Sequence, residues 1–245
     1  MEIKLGGGDE LSLRPIAILA GGLGTRLGDR SRDTPKALMP VAGQPFIFHQ
    51  LRLLADHGAR RVILCVGHLG QRIADAVGDG ANFGLDVRYS FDGARPIGTA
   101  AALRQALDLL GETFLVTYGD TYLRIDYAAV EARFEASHLP ALMTVLRNDG
   151  AWGESNAVYD NGRVTAYDKR VTPVGATWID YGLLAFQKDA LDDETGPSDL
   201  AEVCAQLAAR GELAGYVARE RFYEIGTPEG LAVTDAFLRR VHSRD

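Results

Sequence analysis

Apolar and polar positions follow two alternating patterns through the first part of the chain. Short uninterrupted apolar runs indicate strands that are buried on both faces. The segments between them carry apolar residues at the three- and four-residue spacing of amphipathic helices. The pattern predicts strands over 15–20, 61–67, 85–91 and 113–120, and helices over 45–58, 69–80 and 98–111. This alternation is typical of an α/β fold with a Rossmann-like, mostly parallel mixed sheet flanked by helices, in which ligands bind at the carboxyl ends of the strands.

The pattern changes after about residue 140, where strand-like segments become more frequent. It predicts strands over 141–147, 155–170, 178–186 and 213–218, with a hairpin turn at 160–162, and helices over 198–211 and 228–241. The first of these helices is expected to begin at a Ser198 cap. Because no linker or repeat interrupts the pattern, we expect a single domain over 15–241. The residues before it, 1–14, are expected to form a flexible leader. A small extra β layer is expected to face the substrate.

Composition narrows the class of protein. Apolar residues make up 47% and charged residues 24% of the 245 residues, as in ordinary globular proteins. The net charge of −7 argues against a sequence-independent nucleic-acid binder. No apolar stretch is long enough for a membrane helix, so no membrane partner is expected. Because the first residues do not resemble a signal peptide, we expect a cytoplasmic location. Cys65 and Cys204 lie in apolar patterns and are predicted to be buried thiols.

A glycine-rich segment, "AILAGGLGTRLGDRSRDTPKALMPVAG", directly follows the first predicted strand. A dinucleotide-binding fingerprint would need a third glycine where Leu27 stands, and no P-loop pattern occurs. A plain strand-to-helix turn is one interpretation. The alternative is a phosphate loop, in which Gly21, Gly22 and Gly24 let backbone N–H groups approach phosphate oxygens.

Two cations near this loop favour the phosphate interpretation. Arg26 offers a planar fork for phosphate oxygens, and Thr25 adds a hydroxyl group. Lys36 supplies a point charge after Pro35, which restrains the backbone. Together these groups are suited to binding a triphosphate and to stabilising charge that develops on it.

The glycine segment resembles the motif of the sugar-1-phosphate nucleotidyltransferases, also called nucleotide-sugar pyrophosphorylases. Four further segments occur in the family's order: "GTAAAL" (98–103), "YGD" (118–120), "YDKR" (167–170) and "YEIGTPEG" (223–230). One such motif would be a weak signal, but five in order at the ends of predicted strands are a strong one. The resemblance covers about residues 15 to 241.

The resemblance implies a reaction and a set of site residues. In the family, a nucleoside triphosphate and a sugar 1-phosphate give a nucleotide-sugar and pyrophosphate, with Mg²⁺ as the cofactor. The extra β layer would then cover the sugar site. The motifs imply catalytic roles for Arg26 and Lys36; nucleotide binding by Leu19, Ala20, Gly21, Gly22, Gly24, Thr25, Gly98 and Thr99; sugar-phosphate binding by Gly153, Glu154, Lys169 and Asp180; and metal ligation by Asp120 and Glu224.

Each of these roles has a structural alternative. Arg26 could form only a surface salt bridge, Asp120 could be an ordinary turn residue, and Gly98 with Thr99 could be a simple helix cap. Two positions also depart from the family pattern, since Glu224 stands at the usual aspartate and Asp180 where many relatives have asparagine. The first departure puts direct metal ligation in question, and the second prevents the transfer of a sugar identity.

Two branches of the family resemble the chain most. "YGDTYL" and "YDKR…IDYGL" are similar to heptose 1-phosphate guanylyltransferases, whereas "VAGQP" and "GDGANFGLDVRYSFDG" are similar to N-acetylmuramate 1-phosphate uridylyltransferases. The "GTAAAL" segment favours GTP with a heptose or mannose-type 1-phosphate. A uridylyltransferase and a catalytically silent nucleotide-sensing subunit remain the alternatives. The expected assembly is a monomer or a homodimer.

Overall fold

The structure is a computed structural model that describes residues 12–22, 34–93, 95–191, 193 and 195–243. Most of the predicted leader and the glycine-loop residues 23–33 lie outside this part of the chain. None of the helices within the described residues is long and apolar enough to cross a membrane.

Helices and strands alternate along the chain as the pattern predicts. The strands are β1 (Ile16–Leu19), β2 (Pro40–Val41), β3 (Gln44–Pro45), β4 (Arg61–Val66), β5 (Asp86–Phe91), β6 (Thr113–Tyr118), β7 (Thr121–Tyr122), β8 (Ala141–Arg147), β9 (Ala157–Asp160), β10 (Arg163–Tyr167), β11 (Trp178–Gln187), β12 (Leu213–Ala218) and β13 (Tyr223–Glu224). The α-helices are α1 (Phe46–Asp56), α2 (Gly70–Val77), α3 (Thr99–Leu110), α4 (Tyr127–Ser137), α5 (Leu200–Ala209) and α6 (Pro228–His242). Short 3₁₀ turns occur at Lys36–Leu38, Ala81–Phe83 and Lys188–Ala190.

Among the described residues, nine strands form one mixed sheet in the order β5-β4-β1-β6-β11-β8-β12-β10-β9. The first four strands are parallel, so their carboxyl ends share one edge. β11 is antiparallel to both of its main neighbours, β6 and β8. Since β4 and β6 flank β1 on opposite sides, the chain changes direction there. Crevices at such switch points are where ligands bind in open α/β sheets.

Both faces of the sheet are covered, which explains the uninterrupted apolar runs. Ile16 and Ile18 of β1 point into the core on the side of α1, α2 and α4, whereas Ala17 points into the core beneath α3 and α5. Most side chains of β1, β4 and β6 are therefore buried, and a strict apolar–polar alternation is absent from these strands. The predicted α/β fold with a mixed sheet between helices is confirmed. Cys65 and Cys204 are buried free thiols, also as predicted.

The strands after residue 140 extend the central sheet. β9 and β10 form a hairpin at the sheet's far end, and the turn at Asn161 and Gly162 has the positive φ angles that its sequence predicts. The extra β layer expected over the sugar site is thus continuous with the main sheet. Two short ladders, β2 with β3 and β7 with β13, lie outside that sheet in the described structure.

Two local features differ from the expectations. Helix α4 was not predicted, because its exposed face is rich in alanine and charge; Tyr127, Val130 and Phe134 form its narrow buried stripe. The cap of α5 is Asp199, whose carboxylate accepts a hydrogen bond from Ala201 N–H at 3.0 Å, and not Ser198. The Ser198 carbonyl instead accepts the Ala100 N–H at 2.8 Å, which joins the starts of α3 and α5.

Replacement of Gly98 by alanine should destabilise the fold more than the same change at Gly111. Both glycines have conformations that almost only glycine adopts, with φ of +98° and +80°, and each substitution should cost about 1–3 kcal/mol of backbone strain. At Gly98 a Cβ would also lie 2.5 Å from the Ser198 carbonyl oxygen, whereas nothing lies within 4 Å at Gly111. Urea unfolding of Gly98→Ala and Gly111→Ala measures the difference. Equal losses would show that the α3–α5 junction adapts freely.

Candidate active site

A cleft of about 330 Å³ opens at the carboxyl ends of the parallel strands. It is lined by predicted site residues from four separate segments: Leu19, Ala20, Gly21, Gly22, Lys36, Gly98, Thr99 and Asp120. Residues that the sequence analysis did not single out also line it: Ala37, Cys65, Asp92, Pro96, Ala102, Tyr118 and Gly119. The fold therefore brings the glycine loop, the start of α3 and the "YGD" turn to one place.

Lys36 and Asp120 form an ion pair on the wall of this cleft. Lys36 Nζ lies 2.9 Å from Asp120 Oδ2, and their side chains are 15% and 25% exposed. Lys36 begins a 3₁₀ turn after Pro35, and Asp120 follows the end of β6. The sequence analysis predicted both residues in the site, but their direct contact comes from the fold.

The backbone that carries Asp120 is held by Gln50, which sequence reasoning missed. Gln50 is buried on α1, and its Nε2 donates to the carbonyl oxygens of Tyr118 and Thr121, each at 2.7 Å. Gly119 N–H donates to the Leu19 carbonyl oxygen at 2.9 Å. The one available signal was a glutamine on the apolar face of a predicted helix.

Glu224 lies beside Asp120 because β13 pairs with β7. Glu224 is opposite Thr121 in that ladder, and Ile225 N–H donates to the Asp120 carbonyl oxygen at 2.9 Å. The Glu224 carboxylate accepts hydrogen bonds from Gly226 N–H and, at 3.0 Å, from Thr227 Oγ1. It is therefore turned towards the start of α6.

The two carboxylates and the lysine surround the backbone of Gly226. A Cβ at this position would lie 2.5 Å from Glu224 Oε2, 3.5 Å from Asp120 Oδ2 and 3.6 Å from Lys36 Nζ. Carboxylate oxygens are the ligands that Mg²⁺ prefers, and it is commonly held by one or two carboxylates together with substrate phosphates. Asp120 and Glu224 fit that donor set. No group of three or more candidate ligands is found in the described residues.

Lys169 and Asp180 form a second ion pair, near Tyr118. Lys169 Nζ lies 3.1 Å from Asp180 Oδ2 and donates to the Tyr118 hydroxyl at 3.2 Å. The Asp180 carboxylate is almost completely buried and also accepts hydrogen bonds from Tyr167 Oη at 2.9 Å and Gly182 N–H at 3.0 Å. Both Asp180 oxygens therefore accept hydrogen bonds within the protein, and Asp180 supports Lys169; its binding of the sugar phosphate stays a prediction.

The surroundings keep Lys169 positively charged. Burial opposes its charged form, but the Asp180 carboxylate and Tyr118 outweigh it and raise the pKa of Lys169 above its usual value. Burial raises the pKa of Tyr118, so that this phenol stays neutral. The positively charged Lys169 therefore lies next to Tyr118, a residue of the cleft wall, where it is suited to binding an anion.

Five of the other predicted residues lie away from this arrangement or outside the described residues. Gly153 and Glu154 are in the exposed loop after β8 and do not line the cleft; Asn148 Nδ2 holds that loop by donating to the Gly153 carbonyl oxygen at 2.9 Å. Gly24, Thr25 and Arg26 fall outside the described residues, so their roles stay predictions.

Thr99 has a structural role in addition to its place in the cleft. Its hydroxyl accepts Leu200 N–H at 2.8 Å and donates to Asp199 Oδ1 at 3.2 Å. The hydroxyl thus ties α3 to α5. The two N–H groups after Thr99, those of Ala100 and Ala101, both point at the Ser198 carbonyl oxygen.

Asp92 was not predicted and has the least satisfied side chain in the cleft. Its Oδ1 is buried without a hydrogen-bond partner, and burial raises its pKa. No hydrogen bond or ion pair to its carboxylate is found among the described residues. An unsatisfied buried acceptor costs about 1–3 kcal/mol, and a charged one more.

Comparison with known proteins identifies the family. A family model described as nucleotidyl transferase matches residues 16–240. The chain belongs to this family. The family predicted from the five motifs is therefore confirmed.

Relatives from both predicted branches are found. The chain is 41% identical over 124 residues to N-acetylmuramate alpha-1-phosphate uridylyltransferase of Neisseria meningitidis, covering 50% of this chain and 53% of that protein. It is 27% identical over 176 residues to D-glycero-alpha-D-manno-heptose 1-phosphate guanylyltransferase of Campylobacter jejuni, covering 72% and 77%. The solved structure of HddC from Yersinia pseudotuberculosis, complexed with GMP-PN, matches with a TM-score of 0.77, 26% identity and coverage of 92% and 100%. The chain spans about half the length of the first curated relatives.

The Lys169–Asp180 pair should show a measurable coupling energy in a double-mutant cycle. Because Asp180 is 3% exposed but Lys169 is 39% exposed, we expect about 0.5–2 kcal/mol from urea unfolding of Asp180→Asn, Lys169→Met and the double variant. The exposed pair Arg147–Asp149, at 3.0 Å, is the matched control and should show less than about 0.5 kcal/mol. A coupling as small as that of the control would mean that burial adds nothing to the Lys169–Asp180 pair.

Proposed function

We propose that the chain transfers a nucleotidyl group from a nucleoside triphosphate to a sugar 1-phosphate and releases pyrophosphate. The observation that carries this proposal is the cluster of Lys36, Asp120 and Glu224 around Gly226, beside a glycine loop at the switch point of the sheet. Membership of the nucleotidyl transferase family supports it.

The proposed reaction needs charge placement and no protein nucleophile. An oxygen of the sugar phosphate attacks the α-phosphorus in line, the new P–O bond forms, and the bond to the bridging oxygen of pyrophosphate breaks. The residues hold the two anions together and neutralise their charge, and this positioning provides most of the catalysis. Lys36 is assigned to the α-phosphate or the incoming phosphate, Lys169 to the sugar phosphate, and Arg26 to the pyrophosphate.

Mg²⁺ is the proposed cofactor, held by Asp120 and Glu224. When bound, it would neutralise negative charge on the phosphate oxygens near the reacting phosphorus. Glu224 already accepts hydrogen bonds from Gly226 and Thr227, which orient its carboxylate.

GTP with a heptose or mannose-type 1-phosphate is the preferred substrate pair. The Campylobacter jejuni relative named as a heptose 1-phosphate guanylyltransferase and the Yersinia pseudotuberculosis structure with GMP-PN support this pair. The alternative is transfer from UTP to N-acetylmuramate 1-phosphate or another hexose 1-phosphate, which the Neisseria meningitidis relative supports. We also propose that the chain acts in the cytoplasm as a monomer or homodimer. Its product would be a nucleotide-sugar used to make surface polysaccharide.

A catalytically silent nucleotide-sensing subunit is the competing class of function. The arrangement of Lys36, Asp120 and Glu224 around one backbone position argues against this class of function. A nucleotide sensor does not require a lysine and two carboxylates in such an arrangement. The two classes differ in turnover.

The chain should release pyrophosphate when a nucleoside triphosphate, a sugar 1-phosphate and Mg²⁺ are mixed. The measurement is a coupled pyrophosphate assay over GTP, UTP, dTTP, ATP and CTP, each paired with heptose, mannose, glucose and N-acetylmuramate 1-phosphates. Omission of the sugar phosphate is the control for hydrolysis. Absence of turnover across the whole panel, with nucleotide binding retained, would favour the silent subunit.

Substitution of the two carboxylates should change the magnesium dependence of the rate in different ways. Asp120→Asn removes the charge nearest Lys36 and should abolish turnover at ordinary magnesium concentrations. Glu224→Gln keeps an oxygen acceptor but loses a charge, so it should raise the half-saturating magnesium concentration by about 10-fold, on the order of 1.4 kcal/mol. Glu224→Asp should retain partial activity.

The readout is the initial rate over a magnesium titration for each variant. Glu229→Gln, an exposed first-turn residue of α6, is the matched control and should leave the curve unchanged. If Glu224→Gln also leaves it unchanged, Glu224 is not a metal ligand.

A further inference from the structure

Tyr118 is a residue that the two ion pairs of the site share. It ends β6 and lies two residues before Asp120, which pairs with Lys36. The Tyr118 carbonyl oxygen accepts a hydrogen bond from Gln50 Nε2 at 2.7 Å and another from Thr121 Oγ1 at 3.1 Å. The backbone of Tyr118 is therefore fixed in the same turn that carries Asp120.

The side chain of Tyr118 contacts the other ion pair, which Lys169 forms with Asp180. Lys169 Nζ donates to the Tyr118 hydroxyl at 3.2 Å and lies 4.7 Å from the centre of the Tyr118 ring. Tyr167 also presents a ring to this ammonium group, but at 6.0 Å, which is the outer limit of a cation–π contact. Of the two rings, Tyr118 therefore makes the closer contacts with Lys169, one polar and one cation–π.

The ammonium group of Lys169 has one N–H left for a ligand. A lysine ammonium group has three N–H donors. One is directed at Asp180 Oδ2, which is 3.1 Å away, and another at the Tyr118 hydroxyl. The third has no partner among the described residues, and the Lys169 side chain is 39% exposed. Lys169 can therefore offer a charged donor to an anion while its other two donors stay bound to the protein.

Asp180 by itself does not determine where that third donor points. Lysine has a long flexible side chain, and its ammonium group can rotate about a single contact. Tyr118 supplies a second contact from the neighbouring strand, because β6 and β11 pair with each other, with Thr117 opposite Leu183. Two contacts from adjacent strands thus hold the ammonium group beside the cleft that Tyr118 lines.

We propose that Tyr118 is a positioning residue, which holds the Lys169 ammonium group in place for the sugar phosphate and fixes its distance from the Asp120 turn. This inference rests on the proposed nucleotidyl transfer, in which Lys169 binds the sugar phosphate. In-line attack requires the two phosphates to be aligned, and a misplacement of about 1 Å can lower the rate about 10²-fold. Tyr118 is suited to this alignment because its backbone lies at one charged pair and its side chain at the other.

Two substitutions separate the contributions of the hydroxyl group and the ring. Tyr118→Phe keeps the ring and removes the hydroxyl, whereas Tyr118→Leu removes both. With the substrate pair that gives the highest turnover, kcat/KM for the sugar 1-phosphate should fall about 10-fold in Tyr118→Phe and about 10²-fold in Tyr118→Leu. The KM for the nucleoside triphosphate should stay near its native value in Tyr118→Phe. A parallel rise of both KM values would indicate general loosening of the fold and would overturn the inference.

A double-mutant cycle tests whether Tyr118 acts through Lys169. Once Lys169→Met has removed the ammonium group, Tyr118→Phe should change kcat/KM for the sugar 1-phosphate little, because nothing is left for the hydroxyl to position. A further loss of about 10-fold in the double variant would show that Tyr118 acts independently of Lys169 and would contradict the proposal.

Tyr127→Phe is the matched control. Tyr127 is buried on α4, its hydroxyl donates to the Leu123 carbonyl oxygen at 3.4 Å, and it does not line the cleft. This variant also loses a tyrosine hydroxyl, yet it should keep the native kcat and both native KM values. If its kcat/KM falls as far as that of Tyr118→Phe, the loss of a buried hydroxyl group explains the effect and the positioning role is wrong.

A measurement without substrate separates this inference from the proposed reaction. The chain has four lysines, so labelling of the lysine ε carbons with ¹³C gives four signals, and Lys169→Met assigns that of Lys169. The order parameter of this carbon should fall from the native protein to Tyr118→Phe and again to Tyr118→Leu, while that of Lys188 should not change. Such a fall in a chain without turnover would support the positioning role and contradict the transferase function. Turnover with an unchanged Lys169 order parameter would do the reverse.

Discussion

The backbone turn that follows β6 is the constraint on which the candidate active site depends. The buried amide of Gln50 binds the carbonyl oxygens on both sides of this turn, at Tyr118 and Thr121. Once the turn is held, the Asp120 carbonyl can pair with Ile225, and β13 brings Glu224 alongside. A hydrogen bond on α1 therefore controls the placement of a carboxylate that is distant in sequence.

Much of the fold could be predicted because both faces of the sheet are covered. Burial on both faces makes β1, β4 and β6 mostly apolar, so these strands stand out from the helices between them. Helix α4 could not be found in this way, since only a narrow stripe of it is buried. Ser198 and Asp199 are both good cap residues, and the choice between them depends on packing against α3, which a local pattern does not contain.

The candidate site was predictable where its residues follow strands, and less so where they act through distant partners. The glycine loop, Lys36 and Asp120 meet because parallel strands end at one edge. Gln50 was missed because its partner Tyr118 is 68 residues away. Asp180 resembles a sugar ligand in sequence, but Tyr167 and Lys169 engage its carboxylate once the strands are assembled. Asp92 carries no motif, and it is notable only because its Oδ1 has no hydrogen-bond partner among the described residues.

The burial of Cys65 has a consequence for the kinds of ion that the cleft can accept. Cys65 is a lining residue of the cleft, and burial raises the pKa of its thiol to about 12. At neutral pH the group is thus a neutral thiol, which is a poor nucleophile and a poor ligand for zinc or copper. The ionised ligands offered by the described lining are then carboxylate oxygens. The packing around Cys65 therefore leaves oxygen ligands, which prefer hard cations such as Mg²⁺. The buried thiol is a poor target for oxidants and for soft metal ions.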